Sequence, residues 1–389
     1  MRAWLSRHGR VGRWVVALTL VTAGLSVFGW RQISNARYTN IYPADYVGPE
    51  TCGKCHKTNF RSWQEHSHKK MNLAASEETV RGDFSGVTVP YGKGSMRFER
   101  QGDAFTMAVL VGGREIRRHK VTRTVGSIYM QYYIGTQISG PEPPDHLTYK
   151  LESKLPFAYC YALKRWMPEY YLDSTVDAEQ GYQDGSFYVD APPLHNWNVS
   201  CMTCHNTYPY VARLWHQPPP NENTGIWQGG YPLAAVETSL SRDHEGRIDI
   251  QDWHIRALDP AELVTLGISC ESCHFGGREH AKNGKKIRFV PTSPRLTVHR
   301  PGSSEAVKSN RKDPYVVNSI CAQCHNSGLE RYPNGGSCVN SSEALDMAAG
   351  ACASAIKCTD CHNPHRRGPG TGAPDQPAHI AACLTCHGK

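Results

Sequence analysis

Apolar side chains are scarce in this chain. Only 39% of its 389 residues are hydrophobic and the mean hydropathy is −0.52, too little for side chains alone to fill the interior of two or three ordinary domains. Runs of one charge are scarce too. Lysine and arginine gather only in short groups at 114–120 and 282–288, which read as solvated faces and argue against a nucleic-acid partner. Cysteines outside a single repeated pattern number three, Cys160, Cys338 and Cys352. Of these, Cys338 and Cys352 could close a short disulfide loop, and Cys160 reads as a buried, inert thiol. Long apolar runs are limited to one, the 17 uncharged residues 14–30 behind Arg2, Arg7, Arg10 and Arg13. A basic flank ahead of an apolar stretch directs the chain to a membrane with everything after it on the far side. Its length and its terminal tryptophans favour a retained anchor over a cleaved signal within residues 1–36.

The other twelve cysteines repeat one pattern six times. It reads Cys52-Gly53-Lys54-Cys55-His56 (site 1), Cys201-Met202-Thr203-Cys204-His205 (site 2) and Cys270-Glu271-Ser272-Cys273-His274 (site 3). It returns as Cys321-Ala322-Gln323-Cys324-His325 (site 4), Cys358-Thr359-Asp360-Cys361-His362 (site 5) and Cys383-Leu384-Thr385-Cys386-His387 (site 6). This is CxxCH, in which two thiols form thioethers to a haem and the adjacent histidine ligates its iron. Histidine is only 19 of 389 residues, so its presence after all six pairs has a chance on the order of 10⁻⁸. Zinc sites would pair the CxxC units two by two and leave those histidines without a reason.

Six covalent haems account for the missing interior, because each porphyrin is a broad apolar plate that takes the place of packed side chains. They also cancel the formal charge of +8, since two propionates per haem contribute roughly −12. Attachment of this kind requires export, so an extracytoplasmic, periplasmic-side location follows.

The expected fold is mostly α with long irregular loops organised around the haems. Residues 46–85 carry site 1. Residues 86–150 hold no CxxCH and show short alternating runs between the turn signals Gln101-Gly102-Asp103 and Gly112-Gly113, a small antiparallel β insertion that shields the haems. The aromatic stretch Tyr159, Tyr161, Trp166, Tyr170 and Tyr171 is expected to pack against porphyrin. Residues 151–389 form a five-haem domain, in which spacers of 46, 32 and 20 residues between sites 3, 4, 5 and 6 are too short for separate domains.

Six proximal histidines, His56, His205, His274, His325, His362 and His387, leave twelve others beyond the N-terminal segment, twice what six-coordinate irons need. The candidates for the distal side are His68, His195, His280, His299, His365 and His379, with His66 and Met71 competing with His68. His280 and His365 follow sites 3 and 5 too closely to reach the same iron and are placed to reach a neighbour.

Around these motifs the chain resembles the multihaem cytochromes c of the nitrogen-cycle electron-carrier and oxidoreductase kind. The shared features are a tryptophan-histidine run after the first site (residues 63–71), Asn196-Trp197-Asn198 before site 2, the histidine six residues after site 3, and the close of site 5 at His365. Phe275-Gly276-Gly277 stands where that family has Gly-Pro-Gly, and no CxxCK site of the pentahaem nitrite reductases is present. The surplus of histidines makes bis-histidine ligation the default, and irons so held, with no open position, carry electrons to or from redox proteins or a quinone pool. The alternatives are an oxidoreductase with one open haem acting on a small nitrogen or sulfur species, a membrane quinol dehydrogenase module, and head-to-tail self-assembly.

Overall fold

The longest unbroken structure grows from the stretch without CxxCH, where β-branched and aromatic residues alternate with polar ones. In the computed structural model, residues 19–22, 38–91, 94–168, 196–212, 259–294, 298, 305, 307–325, 332–333, 342–366 and 376–388 are described. Nine antiparallel strands form one nearly closed sheet. They are β1 (Asn72–Ala74), β2 (Ser85–Tyr91), β3 (Gly94–Gln101), β4 (Ala104–Val111), β5 (Arg114–Val125), β6 (Met130–Ser139), β7 (Ser153–Lys154), β8 (Phe157–Cys160) and β9 (Arg165–Pro168). Their order is β2-β3-β4-β5-β6-β8-β9, with β1 added to β5 and β7 to β6. Gly112 and Gly113 both take positive φ (54° and 78°) between β4 and β5, the pair of left-handed residues that a two-residue hairpin needs.

The sheet encloses its own core. Met96, Phe98, Met107, Tyr133, Leu155 and Phe157 are fully buried there. Trp166 lies flat on Phe98, ring centres 3.7 Å apart and planes 4° off parallel.

This overturns the expected mostly α fold with a small β insertion. The sheet is the largest element of the described chain, and its strands begin before residue 86 and end beyond residue 150. Two physical causes hid it. Bulges in β5 interrupt its alternation, and β4 is buried on both faces and so does not alternate. Trp166, expected on a porphyrin, packs inside the sheet instead.

Helices are short because each CxxCH requires only one helical turn. Pro49–Cys55, Met202–His205, Cys270–His274 and Cys358–Cys361 each carry or end on a motif, and Gln376–His387, at twelve residues, carries site 6. A second, two-stranded sheet pairs β10 (Asn206–Thr207) with β11 (Thr265–Leu266). It joins the exit of site 2 to the entry of site 3. Among the described residues no helix is long and apolar enough to cross a membrane. Apart from residues 19–22, the anchor expected at 14–30 lies outside them.

A candidate multihaem centre

In site 1, Pro49 opens a helix behind Gly48, which has φ 79°. That helix places Cys52 and Cys55 three residues apart on one face. His56 ends it and starts the next helix, Lys57–Gln64. Trp63 anchors that second helix by donating from Nε1 to the Ile268 carbonyl at 2.8 Å, and the backbone N–H of Ile268 donates to the His68 carbonyl at 2.9 Å. The turn carrying His66 and His68 is thus fixed against the approach to site 3.

Site 3 is built around a strained corner. Phe275 caps helix Cys270–His274 with φ 55°, a left-handed conformation where the resembling family has glycine. Its side chain is 1% exposed in an apolar cluster with Ile41, Tyr210, Val211 and Val316, and that burial offsets the strain. A Cβ on Gly276 would stand 2.5 Å from Asp45, so only glycine fits there. The chain then turns into Arg278–Asn283, which carries His280.

Glu271, between the two cysteines of site 3, is 2% exposed. Its carboxylate accepts from the backbone N–H groups of Val47 (3.0 Å), Gly48 (2.8 Å) and Gly277 (2.8 Å). It therefore clamps the start of the site 1 helix to the turn after site 3. Arg278 adds an ion pair to the buried Asp45 at 2.8 Å, and the Cys52 and Cys270 side chains lie side by side. Sites 1 and 3 are neighbours although site 2 lies between them in sequence.

A similar clamp joins sites 4 and 5. Helix Pro314–Ala322, capped by Asp313, buries Val316, Val317 and Ile320 and delivers Cys321. Asn318 on it accepts from Cys358 N and donates to Ile356 O, both at 2.9 Å, and the Cys321 and Cys358 side chains lie side by side. Cys204 of site 2 comes within 3.9 Å of the Gln323 carbonyl of site 4. Thr207, just beyond site 2, hydrogen-bonds Ser272 of site 3 at 2.8 Å.

The histidine rings meet in pairs drawn from different motifs. His56 of site 1 faces His280 at 5.9 Å between ring centres, with planes 20° apart. His274 of site 3 faces His365 at 6.0 Å and 11°. His325 of site 4 faces His68 at 6.4 Å and 61°. Two imidazoles on opposite sides of one metal, each at about 2.0 Å, hold their ring centres roughly 6 Å apart. That is the separation seen in all three pairs. Burial pushes His68 down to about 3 and His274 to about 4, and lowers His205 and His365. These rings are thereby kept in the neutral form that binds metal.

The donor set fits haem. Each of these pairs has two thiols three residues apart beside one ring, and a second ring opposite. Among the described residues no three or more His, Cys, Asp or Glu side chains converge as a metal ion held by protein alone would require. His68, His280 and His365 thus stand opposite histidines of CxxCH motifs. His66 lies 4.8 Å from His68 and accepts a hydrogen bond from its backbone N–H. His195 and His299 lie outside the described residues, as does the side chain of His379 on the site 6 helix. Cys383, Cys386 and His387 of site 6 are exposed. Cys338 falls outside the described residues, Cys352 is exposed and Cys160 is half-buried at the end of β8.

Sequence reasoning missed Glu271, Asn318 and Glu343. The first sits at a variable position of its motif. The others act on motifs 40 and 18 residues away, and no local pattern marks such contacts.

No family model matches the chain, and no curated protein does. Two solved structures are similar to it in part. The outer cell wall cytochrome OcwA has 17% identity and a TM-score of 0.33 over 75% of this chain and 40% of its own. The undecaheme cytochrome from the S-layer of Carboxydothermus ferrireducens has 16% identity and a TM-score of 0.34 over 90% of this chain and 44% of its own. The chain spans less than half the length of either. Likeness at that level establishes no shared fold, so the reading of the site rests on its own side chains.

Proposed function

We propose that the chain is a six-haem c-type cytochrome that carries electrons outside the cytoplasm. The observation that carries this reading is the set of three histidine pairs, each joining a CxxCH histidine to a ring from elsewhere in the chain at metal-spanning distance. A haem held between two histidines exchanges single electrons and leaves substrate no open position on the iron. The protein's part is to fix spacing. His280, six residues past His274, serves site 1, and His365, three past His362, serves site 3, so neighbouring sites cannot separate without breaking an axial pair. Glu271 holds the first of these adjacencies through the backbone, and Asn318 adds a junction of sites 4 and 5.

The order of sites in space then differs from their order in sequence. Site 1 adjoins 3, site 5 adjoins both 3 and 4, and site 2 touches both 3 and 4. Electrons pass along that array to or from a redox protein or the quinone pool, and the apolar segment at 14–30 tethers the chain to the membrane facing them. Pyridine haemochrome analysis with EPR of the ferric protein tests this. Six haems per chain, all low-spin, is the expected result. Fewer than six shows unused motifs, and a high-spin ferric signal at full occupancy replaces the carrier with an enzyme that binds substrate at an open iron.

A further inference from the structure

Within the array, site 4 is set apart by what its proximal ring touches. His325 Nδ1 stands 3.1 Å from Glu343 Oε2. A carboxylate can only accept, so the imidazole donates its Nδ1 proton there and presents Nε2 to the metal side. The contact is built in from both directions. The backbone N–H of Ala344 donates to the His325 carbonyl at 2.9 Å, which seats the first turn of helix Glu343–Ala349 directly on the motif. One turn on, Met347 Sδ lies 3.8 Å from Cys358 Sγ of site 5. Residues 343 and 347 share a helix face, so the helix is held at both ends and aims the exposed Glu343 carboxylate at the ring. In the other two described pairs no ring Nδ1 meets a carboxylate, and that of His274 has no partner. The Nδ1 of His280, distal to site 1, meets only the Lys285 carbonyl at 2.8 Å.

We infer that Glu343 is a positioning residue that makes site 4 the lowest-potential haem among those with a described axial pair. It does so by drawing the Nδ1 proton of His325 and making that ring a stronger donor to ferric iron. An outer-shell carboxylate on a ligating histidine fixes its tautomer and raises its basicity, and axial-ligand basicity is one of the protein's controls over haem potential. The inference rests on the haem reading above and deepens it. Site 4 touches sites 2 and 5, so its potential sets how readily electrons cross the centre of the array.

The test is a spectroelectrochemical titration of the full six-haem protein and its E343Q, E343D and D346N variants, with a haemochrome count on each. The glutamine variant keeps the shape and removes the strong acceptor, and the aspartate variant, one methylene shorter, withdraws it. Both should raise one Nernstian component, E343Q by about tenfold in its oxidised-to-reduced ratio, equivalent to about 59 mV for a one-electron couple. The other components should stay in place. Asp346, exposed on the same helix, controls for charge, and D346N should shift that component by less than a third as much. Superimposable wild-type, E343Q and E343D curves would overturn the inference, as would an equal shift in D346N. A wild-type count below six, or a high-spin wild-type spectrum, would instead sink the underlying haem reading, whatever Glu343 does.

Discussion

Removing the Glu271 carboxylate should loosen the junction of sites 1 and 3 before any other part of the molecule. Three backbone N–H groups from two separate segments converge on it at 2.8–3.0 Å, and the residue is 2% exposed. A hydrogen bond to a charged group contributes roughly 1.5–3 kcal/mol, and a buried donor left without an acceptor costs about 1–3 kcal/mol. The sum over three is an upper bound, because burial itself disfavours the ionised carboxyl and pushes its pKa up. The cavity left by alanine also admits water to part of the set. A loss of about 3–5 kcal/mol for Glu271→Ala follows, and about 1–2 kcal/mol for Glu271→Gln, which keeps one acceptor oxygen but turns an N–H toward another donor. Native-state hydrogen exchange on the holoprotein gives the local readout. The amides of Val47, Gly48 and Gly277 should exchange faster by two or more orders of magnitude in the alanine variant, while those of β3 and β4 hardly change. If those three amides kept their protection, or if exchange rose evenly through the sheet, the clamp would not be what joins the two sites.

Other perturbations separate the sheet from the haem array. His68→Ala should convert one haem in six to a high-spin ferric signal, and an unchanged low-spin spectrum would remove His68 from the axial set. In the intact protein, the 61° crossing of His68 and His325 should give one strongly anisotropic low-spin EPR signal. The near-parallel pairs at 20° and 11° should give rhombic ones, so a spectrum holding only rhombic signals would contradict the site 4 geometry. His119, 1% exposed on β5, is pushed by burial down to about 4. The unfolded chain therefore takes up a proton near pH 6.5 that the folded chain refuses until about pH 4. Stability from this group is complete above pH 6.5 and falls by up to about 3 kcal/mol across that interval. Urea titrations at pH 7 and 4.5 should show a smaller loss in His119→Phe than in the wild type, and equal losses would refute it. Trp166→Ala, which removes the ring stacked on Phe98, should cost about 3–5 kcal/mol and leave every haem signal in place, whereas loss of a haem would tie that tryptophan to a porphyrin after all.

What could be read from the residues and what could not divide along a physical line. The CxxCH pattern is local: two thiols three residues apart and a histidine one further on lie on one helical turn, so Cys52-Gly53-Lys54-Cys55-His56 and its five counterparts can be picked out without any fold. That His280 and His365 face histidines of other motifs was legible for a related reason, since residues only six and three past their own motif histidines lie too close to turn back onto them. The sheet was legible in its hairpins, where Gly102 and Gly112-Gly113 mark the turns, and illegible in its extent. Short strands such as Ser153–Lys154 and Arg165–Pro168 carry no period of their own, and Trp166 looks the same in sequence whether its partner is Phe98 or a porphyrin. Which site adjoins which is set by Glu271 reaching back across 224 positions to Val47 and by Asn318 spanning 40 to Cys358. Contacts of that range depend on the whole chain being folded, so the motifs can be counted from the sequence while their arrangement in space belongs to single buried side chains. Point substitutions at Glu271 or Asn318 should accordingly alter electron passage between sites without altering the haem count, a separation that loss of a CxxCH cysteine cannot produce.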